Sequence, residues 1–195
     1  MKYEYTEKDL DLISWERIDQ FIEKIYQEVK QYLEEAHLSI LYIAPIMRGG
    51  GVPAIKFSHL FDVVDMLPIQ LKHNSETNAI DTKIGLDYVQ NTDLQENECI
   101  LLVEGNHVTG RTANIAANML RQKFGETVKI IYVSLTRDAT YENSVENVCF
   151  TTWAMTTNET KELSKEECEK RNINYWLVSV YPWENVEEEL KELNN

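Results

Sequence analysis

The residues with the clearest chemistry lie between Ile100 and Thr112. An apolar run reaches Glu104; Gly105, Asn106, His107 and Val108 follow, and then Thr109-Gly110-Arg111-Thr112. The spacing predicts a strand that stops at Glu104 and a helix over Ala113 to Phe124. A strand that turns through small residues into a helix delivers unpaired backbone N–H groups to one point. The helix dipole adds to their attraction for a phosphate there. Thr109 and Thr112 supply hydroxyls, Arg111 a guanidinium, and Gly110 allows close backbone approach to an oxyanion. Taken alone, these four residues also describe a plain helix-entry turn. His107 is either an acid or base working near neutral pH or an exposed loop histidine.

A second loop of the same kind lies upstream. Leu38 to Ile46 is an apolar run without alternation, as in a strand covered on both faces. Arg48-Gly49-Gly50-Gly51 breaks it, and Val52-Pro53-Ala54 starts a helix with Pro53 in its first turn. The two strand–loop–helix units together favour the phosphate reading of the first.

The elements around these loops follow from periodicity. Ser14 reads as the N-cap of an amphipathic helix in which Trp15, Ile18, Ile22, Ile25, Val29 and Leu33 recur at helical spacing. Val63 to Leu71, Val128 to Leu135, Val148 to Met155 and Tyr175 to Val180 read as further strands, with Pro68 marking an edge or an ending. Lys72 to Asn97 is polar and weakly patterned, as in a mobile functional loop or an added hairpin over the site. Ser164 and Glu167 form a capping box for a short helix through Arg171. The chain closes on an acidic helix whose Glu187-Glu188-Glu189 run reads as a solvated face. Strands alternating with helices imply an α/β fold, with a mostly parallel twisted sheet flanked by helices and one domain over residues 1–195. Ligands of such sheets sit at the carboxyl ends of the strands, where both glycine loops fall.

Composition narrows the partners. A 195-residue chain with net charge −14 lacks the cationic field that nucleic-acid binding needs, so no nucleic-acid partner is expected. No membrane-length apolar run or leader pattern occurs, and a cytoplasmic location is expected. Cys99 and Cys149 lie in apolar runs and read as packed thiols.

The loop at Thr109–Thr112 is neither a Walker loop nor a dinucleotide fingerprint. With the apolar run and Glu104 before it, it resembles the ribose-phosphate loop of type I phosphoribosyltransferases. Ile43 to Ala54, with Arg48-Gly49-Gly50 at its centre, resembles that family's diphosphate loop. Ser14-Trp15-Glu16-Arg17-Ile18 and Tyr181-Pro182-Trp183-Glu184 are similar to segments of its purine (xanthine/guanine/hypoxanthine) branch.

The resemblance implies a type I phosphoribosyltransferase-like fold, phosphoribosyl diphosphate and a purine-like nucleobase as ligands, Mg²⁺ as cofactor, and a homodimer. It implies 5′-phosphate binding by Thr109, Gly110, Arg111 and Thr112, and diphosphate binding by Arg48, Gly49, Gly50 and Lys72. Glu104 would take the ribose hydroxyls, reach the metal only through ribose or water, and stabilise positive charge at the sugar carbon as diphosphate leaves. Trp153 and Trp176 fall on the base side, where they could stack on a ring or serve the core. Asn106 would be a base reader or a turn former.

Two positions depart from the family pattern. Gly105 stands where a second acid is usual, and Val108 where the purine enzymes commonly place an Asp. Gly105→Asp would raise transfer if the missing carboxylate limits it. Besides transfer, two readings stay open: a non-catalytic sensor of a nucleotide or phosphoribosyl diphosphate, and an N-riboside-processing enzyme in which His107 replaces the lost base.

Overall fold

The computed structural model describes residues 4–74, 77, 79–90, 94–140, 144–158, 170 and 177–194. After a short strand β1 (Leu10–Leu12) comes the long helix α1 (Trp15–Ala36). Its start is fixed locally: the Ser14 hydroxyl accepts the Arg17 N–H at 3.2 Å, while the Arg17 guanidinium grips Asp11 at 2.8 and 3.1 Å. Ser14→Ala should lower the unfolding free energy by about 1 kcal/mol, read by urea denaturation. An unchanged midpoint would mean that the Asp11–Arg17 pair alone sets the helix start.

The chain continues as β2 (Ser39–Met47), α2 (Gly51–Phe61), β3 (Ile69–Asn74), β4 (Ala79–Ile84), β5 (Glu98–His107) and α3 (Arg111–Phe124). Then follow β6 (Lys129–Asp138), β7 (Phe150–Thr157), β8 (Val178–Val180) and α4 (Val186–Asn194). Among the described residues one sheet has six strands in the order β4-β3-β2-β5-β6-β7, parallel except for the edge strand β4. A separate parallel pair joins β1 to β8.

The central strands are buried on both faces, which is why their apolar runs do not alternate. Leu101 and Val103 of β5 pack with Ile18, Ile22, Ile25 and Phe57 of α1 and α2. Ile100 and Leu102 point the other way, onto Ala113, Ala116, Ala117 and Leu120 of α3. The small side chains of α3 let it lie close to the sheet, bringing its first turn near the end of β5.

Several boundaries differ from the sequence reading. β3 begins at Ile69, after Pro68, rather than at Val63; upstream, Met66 makes only an isolated bridge to Ile43. Pro68 has no N–H to give a ladder, so regular pairing starts beyond it. Lys72 consequently sits in β3, opposite Asp81 of β4, and the predicted loop opens as a hairpin. β5 does not stop at Glu104 but pairs with β6 as far as His107 opposite Arg137. Cys99 is buried as expected, whereas Cys149 is exposed. The predicted helix from Ser164 to Arg171 lies outside the described residues, apart from Lys170.

Candidate functional site

The carboxyl ends of β2 and β5 meet over a shared glycine contact. The Met47–Arg48 peptide is cis, and Gly50 opens α2 directly against the neighbouring strand. A Cβ on Gly50 would stand 2.1 Å from the Val103 carbonyl oxygen and 2.8 Å from that of Ile46. No side chain fits there. Gly105 faces Gly49 across the same junction, and a Cβ on it would lie 3.1 Å from the Gly49 carbonyl carbon and oxygen. This contact supplies a packing reason for glycine at the second acidic position. It also corrects the expectation for Gly105→Asp, because the new side chain would press on the Arg48–Gly49 loop, so its rate would report loop displacement as well as charge.

Thr109 to Thr112 form the entry to α3. Gly110 caps the helix with φ +70°, in the left-handed region that a glycine adopts without a Cβ penalty. The Asn114 amide donates to the Gly110 carbonyl at 3.0 Å and holds the turn. The Arg111 N–H donates to Thr109 Oγ1 at 3.5 Å within this turn, and the helix itself offers its first N–H groups no partner.

One cavity of about 260 Å³ gathers these pieces: Met47 and Gly49 from the first loop, Glu104, Gly105 and Asn106 from β5, and Thr112 from α3. Its far wall holds Ser179, Tyr181, Glu184 and Glu189. The buried Ser179 hydroxyl has no hydrogen-bond partner among the described residues. An adjoining cleft of about 520 Å³ has Arg48, Lys72 and His73 on one side and Glu184, Glu188, Glu189 and Glu192 on the other. Glu188 and Glu189 thus face a cleft, which a solvated acidic run did not anticipate. Burial raises the pKa of Glu184 and of Glu189, with the Arg48 charge acting in the opposite direction.

Glu104 is half-buried, and loss of water around its carboxyl pushes its pKa up to about 7. Tyr132 of β6 donates a hydrogen bond to Glu104 Oε2, which partly counters that rise. The same phenol lies 2.9 Å from His107 Nδ1. His107 is only 4% exposed, so the exposed-loop reading does not hold. Burial, then the adjacent Glu104 charge, push the Tyr132 phenol well up, and it stays protonated.

A second hydroxyl cluster fixes the end of β5. Tyr181 Oη is 2.6 Å from the Gly105 carbonyl oxygen and 2.7 Å from Thr136 Oγ1, which is 3.0 Å from Asn106 Oδ1. Two hydroxyl protons cannot serve three contacts. Turning the Asn106 amide so that its NH₂ faces Thr136 gives each contact a donor.

His107 and Tyr132 also line a cavity of about 340 Å³ with Arg137, Ser144, Val145, Thr151 and Trp153. The Arg137 guanidinium lies 4.5 Å from the Trp153 ring centroid, and Trp153 Nε1 donates to Thr156. Trp153 is thus brought to the site with one face covered by Arg137. Trp176 lies outside the described residues.

The structure therefore brings together Glu104, Gly49 and Thr112 around one cavity, and Arg48 with Lys72 around the adjoining cleft. Gly50 is a packing glycine at their junction, and Arg111 is exposed at the helix start. Tyr132, Tyr181, Arg137, Glu184 and Glu189 are additions that the sequence reading missed. A tyrosine inside the doubly covered Ile130–Leu135 run was the available signal, since a buried phenol needs a polar partner. A further cavity of about 660 Å³, lined by His37, Glu98 and Lys129 among others, lies at the strands' amino ends, away from all of these residues.

No family model matches the sequence, and no curated protein matches it in sequence. Solved structures match its fold. A purine phosphoribosyltransferase from Pyrococcus horikoshii Ot3 aligns with TM-score 0.61 and 18% identity over 91% of this chain and 95% of its own. A xanthine-guanine-hypoxanthine phosphoribosyltransferase from Helicobacter pylori gives 0.63 and 16% over 93% and 97%. A Neisseria gonorrhoeae protein solved with bound ppGpp gives 0.67 and 14% over 97% and 98%. The chain has the phosphoribosyltransferase-like α/β fold. No helix among the described residues is long and apolar enough to cross a membrane.

Proposed function

We propose that the protein binds phosphoribosyl diphosphate and transfers ribose 5-phosphate to a purine-like base with release of diphosphate. The observation that carries this reading is the cavity at the ends of β2 and β5, where Gly49, Glu104 and Thr112 meet beside the Arg48–Lys72 cleft. In this reading Thr109 to Thr112 hold the 5′-phosphate and Arg48 with Lys72 faces the diphosphate. The base sits in the cavity shared by Trp153, Arg137 and His107. The Ser179 hydroxyl, which has no partner among the described residues, favours a polar ligand. A homodimer of single-domain chains in the cytoplasm belongs to the same proposal.

As diphosphate departs, positive charge grows at the anomeric carbon, and the Glu104 carboxylate stabilises it more than it stabilises the ground state. Among the described residues no group of three or more His, Cys, Asp or Glu side chains is placed to hold a metal. Mg²⁺, which would neutralise charge on the leaving diphosphate, would take most of its coordination from ligand oxygens and water. Glu104 would reach it only through ribose or water.

Incubation with phosphoribosyl diphosphate, Mg²⁺ and a panel of bases, with diphosphate and nucleotide measured, tests the proposal. Turnover is expected with at least one purine. Arg48→Ala should weaken phosphoribosyl diphosphate binding about 30-fold, equivalent to about 2 kcal/mol for a charge-assisted hydrogen bond. Unchanged affinity would remove Arg48 from the site.

Gly105 and Val108 favour a second reading, a non-catalytic nucleotide or phosphoribosyl diphosphate sensor. The Neisseria neighbour with its bound ppGpp fits the same direction. Tight binding without turnover on any base would decide for it.

A further inference from the structure

We propose that α4 is an acidic strap over the cleft of Arg48 and Lys72, so that seating of this helix and binding of an anion in the cleft oppose each other. The inference rests on the transfer reading for the identity of the anion, diphosphate, and on the geometry alone for the seating of α4. The segment carries two stripes. Asn185, Glu188, Glu189 and Glu192 recur at helical spacing and line the 520 Å³ cleft with Arg48 and Lys72. Val186, Leu190 and Leu193 recur on another stripe and are only half-buried, and no residue of α4 is buried outright.

Little holds this helix down. It has nine residues, too few for a helix to persist without tertiary support. Glu188 and Glu192 stand four apart, where like charges weaken an isolated helix. Its ends are tied by polar contacts. Asn185 Oδ1 accepts the N–H groups of Glu187 and Glu188 at 2.9 and 3.2 Å, and Asn194 exchanges hydrogen bonds of 2.8 and 3.0 Å with the Tyr5 backbone. Between the ends the Arg48 charge acts on Glu189, as it does on Glu184 just before the helix. Yet none of the ion pairs among the described residues joins α4 to Arg48 or Lys72. An attraction through solvent at that range is weak and is readily displaced.

Diphosphate in the cleft would do two things to α4. It would neutralise the cations that attract the helix, and it would bring several negative charges against Glu188, Glu189 and Glu192. Both push α4 outward. By linkage, the seated helix lowers the affinity of the cleft for the anion by the same factor. Glu184 stays behind, because its carboxylate accepts the Tyr181 N–H at 2.8 Å, so the strap moves from Asn185 onward. Glu189 lines the 260 Å³ cavity as well as the cleft, and its withdrawal also widens the passage between them. A bare anion is thereby held weakly, whereas a ligand with further contacts near Gly49 and Thr112 can open the strap.

Hydrogen exchange of the ligand-free, full-length protein tests the seating. Arg48→Gln should speed exchange of the α4 amides about threefold, and Arg48→Lys, which keeps the charge, should match the wild type. No change in Arg48→Gln, or equal change in both variants, overturns the strap. Titration with inorganic diphosphate in EDTA tests the opposition. The variant carrying Glu188→Gln, Glu189→Gln and Glu192→Gln should bind about tenfold more tightly than wild type in about 20 mM salt, and about twofold in about 500 mM. Gln at Glu23, Glu34 and Glu35, three exposed positions of α1, removes the same charge far from the cleft and should shift affinity less than about twofold. Saturating diphosphate should also speed exchange across α4 in the wild type. Equal gains from the two triple variants, or α4 exchange that is unchanged or slowed by the ligand, overturn the strap and leave the diphosphate reading standing. If neither wild type nor the α4 variant binds diphosphate, the diphosphate reading falls and the opposition with it, while exchange in Arg48→Gln still decides the seating.

Discussion

Replacing Glu104 with Gln is expected to stabilise the fold at pH 8 by about 3 kcal/mol and to lower the proposed phosphoribosyl transfer at least a hundredfold. The stability gain follows from where the carboxyl sits. In the folded chain its pKa is pushed up to about 7, against roughly 4.3 for an unperturbed glutamate. Below the unfolded value both states are protonated and no penalty exists. Between the two values the folded chain keeps a proton that the unfolded chain has released, so stability falls as pH rises. Above pH 7 the full penalty of holding a buried charge is present, and the amide removes it. The Gln oxygen still accepts from Tyr132, so the hydrogen bond survives. Urea denaturation of both proteins at pH 4 and pH 8 should show curves that nearly coincide at the lower pH and diverge at the higher. Equal stabilities at pH 8 would mean that water reaches the carboxylate freely. The loss of transfer has the opposite origin: an uncharged amide cannot stabilise the sugar cation, and one such transition-state contact amounts to about 3 kcal/mol. A residue whose removal strengthens the fold and disables the reaction is held for function.

Gly50→Ala should prevent stable folding, or destabilise the protein by about 3 kcal/mol or more, at the upper end for overpacking. The added methyl would meet two backbone carbonyl oxygens, at 2.1 and 2.8 Å, and neither can rotate away as a side chain could. β2 and β5 would have to part at the point where the site is assembled. The neighbouring glycines grade the effect. Gly105→Ala brings contacts of 3.1 to 3.2 Å against Gly49, so the loop must give by a few tenths of an ångström. Gly49→Ala meets nothing closer than 3.6 Å. Thermal melts should therefore rank Gly50→Ala far below Gly105→Ala, and Gly105→Ala below Gly49→Ala. If all three melt alike, the β2–β5 junction is not as tight as these contacts require. Where Gly105→Ala folds, it separates loop position from charge, which Gly105→Asp alone cannot do.

Arg48 and Glu104 were visible as candidates because each follows a long apolar run that breaks at a glycine-rich loop. That the cavity of one adjoins the cleft of the other was not visible, because it depends on β2 and β5 being neighbours in the sheet. The reading of His107 as an exposed loop residue failed for a related reason. β5 was predicted to stop at Glu104, where the apolar run ends. In the folded protein, pairing with β6 carries the strand on to His107, and Tyr132 gives the imidazole a buried partner. Polar residues at a strand end look like loop in one dimension; only a neighbouring strand shows that they are still paired.

By itself, the sequence determined what short-range physics controls: the Ser14 cap, the apolar stripe of α1, the doubly buried run of β5, and the glycine turn opening α3. Each is set by residues within a few turns or strand positions of one another, where period and backbone preference suffice. Tertiary structure alone decided that Tyr132 would link Glu104 to His107, that Gly105 would rest on Gly49, and that Glu184 and Glu189 would face the cavity at the ends of β2 and β5. Those pairings depend on strand order and register across long crossovers. One residue of slip would turn every side chain of a strand to the other face, and that register is fixed only when both cores pack at once.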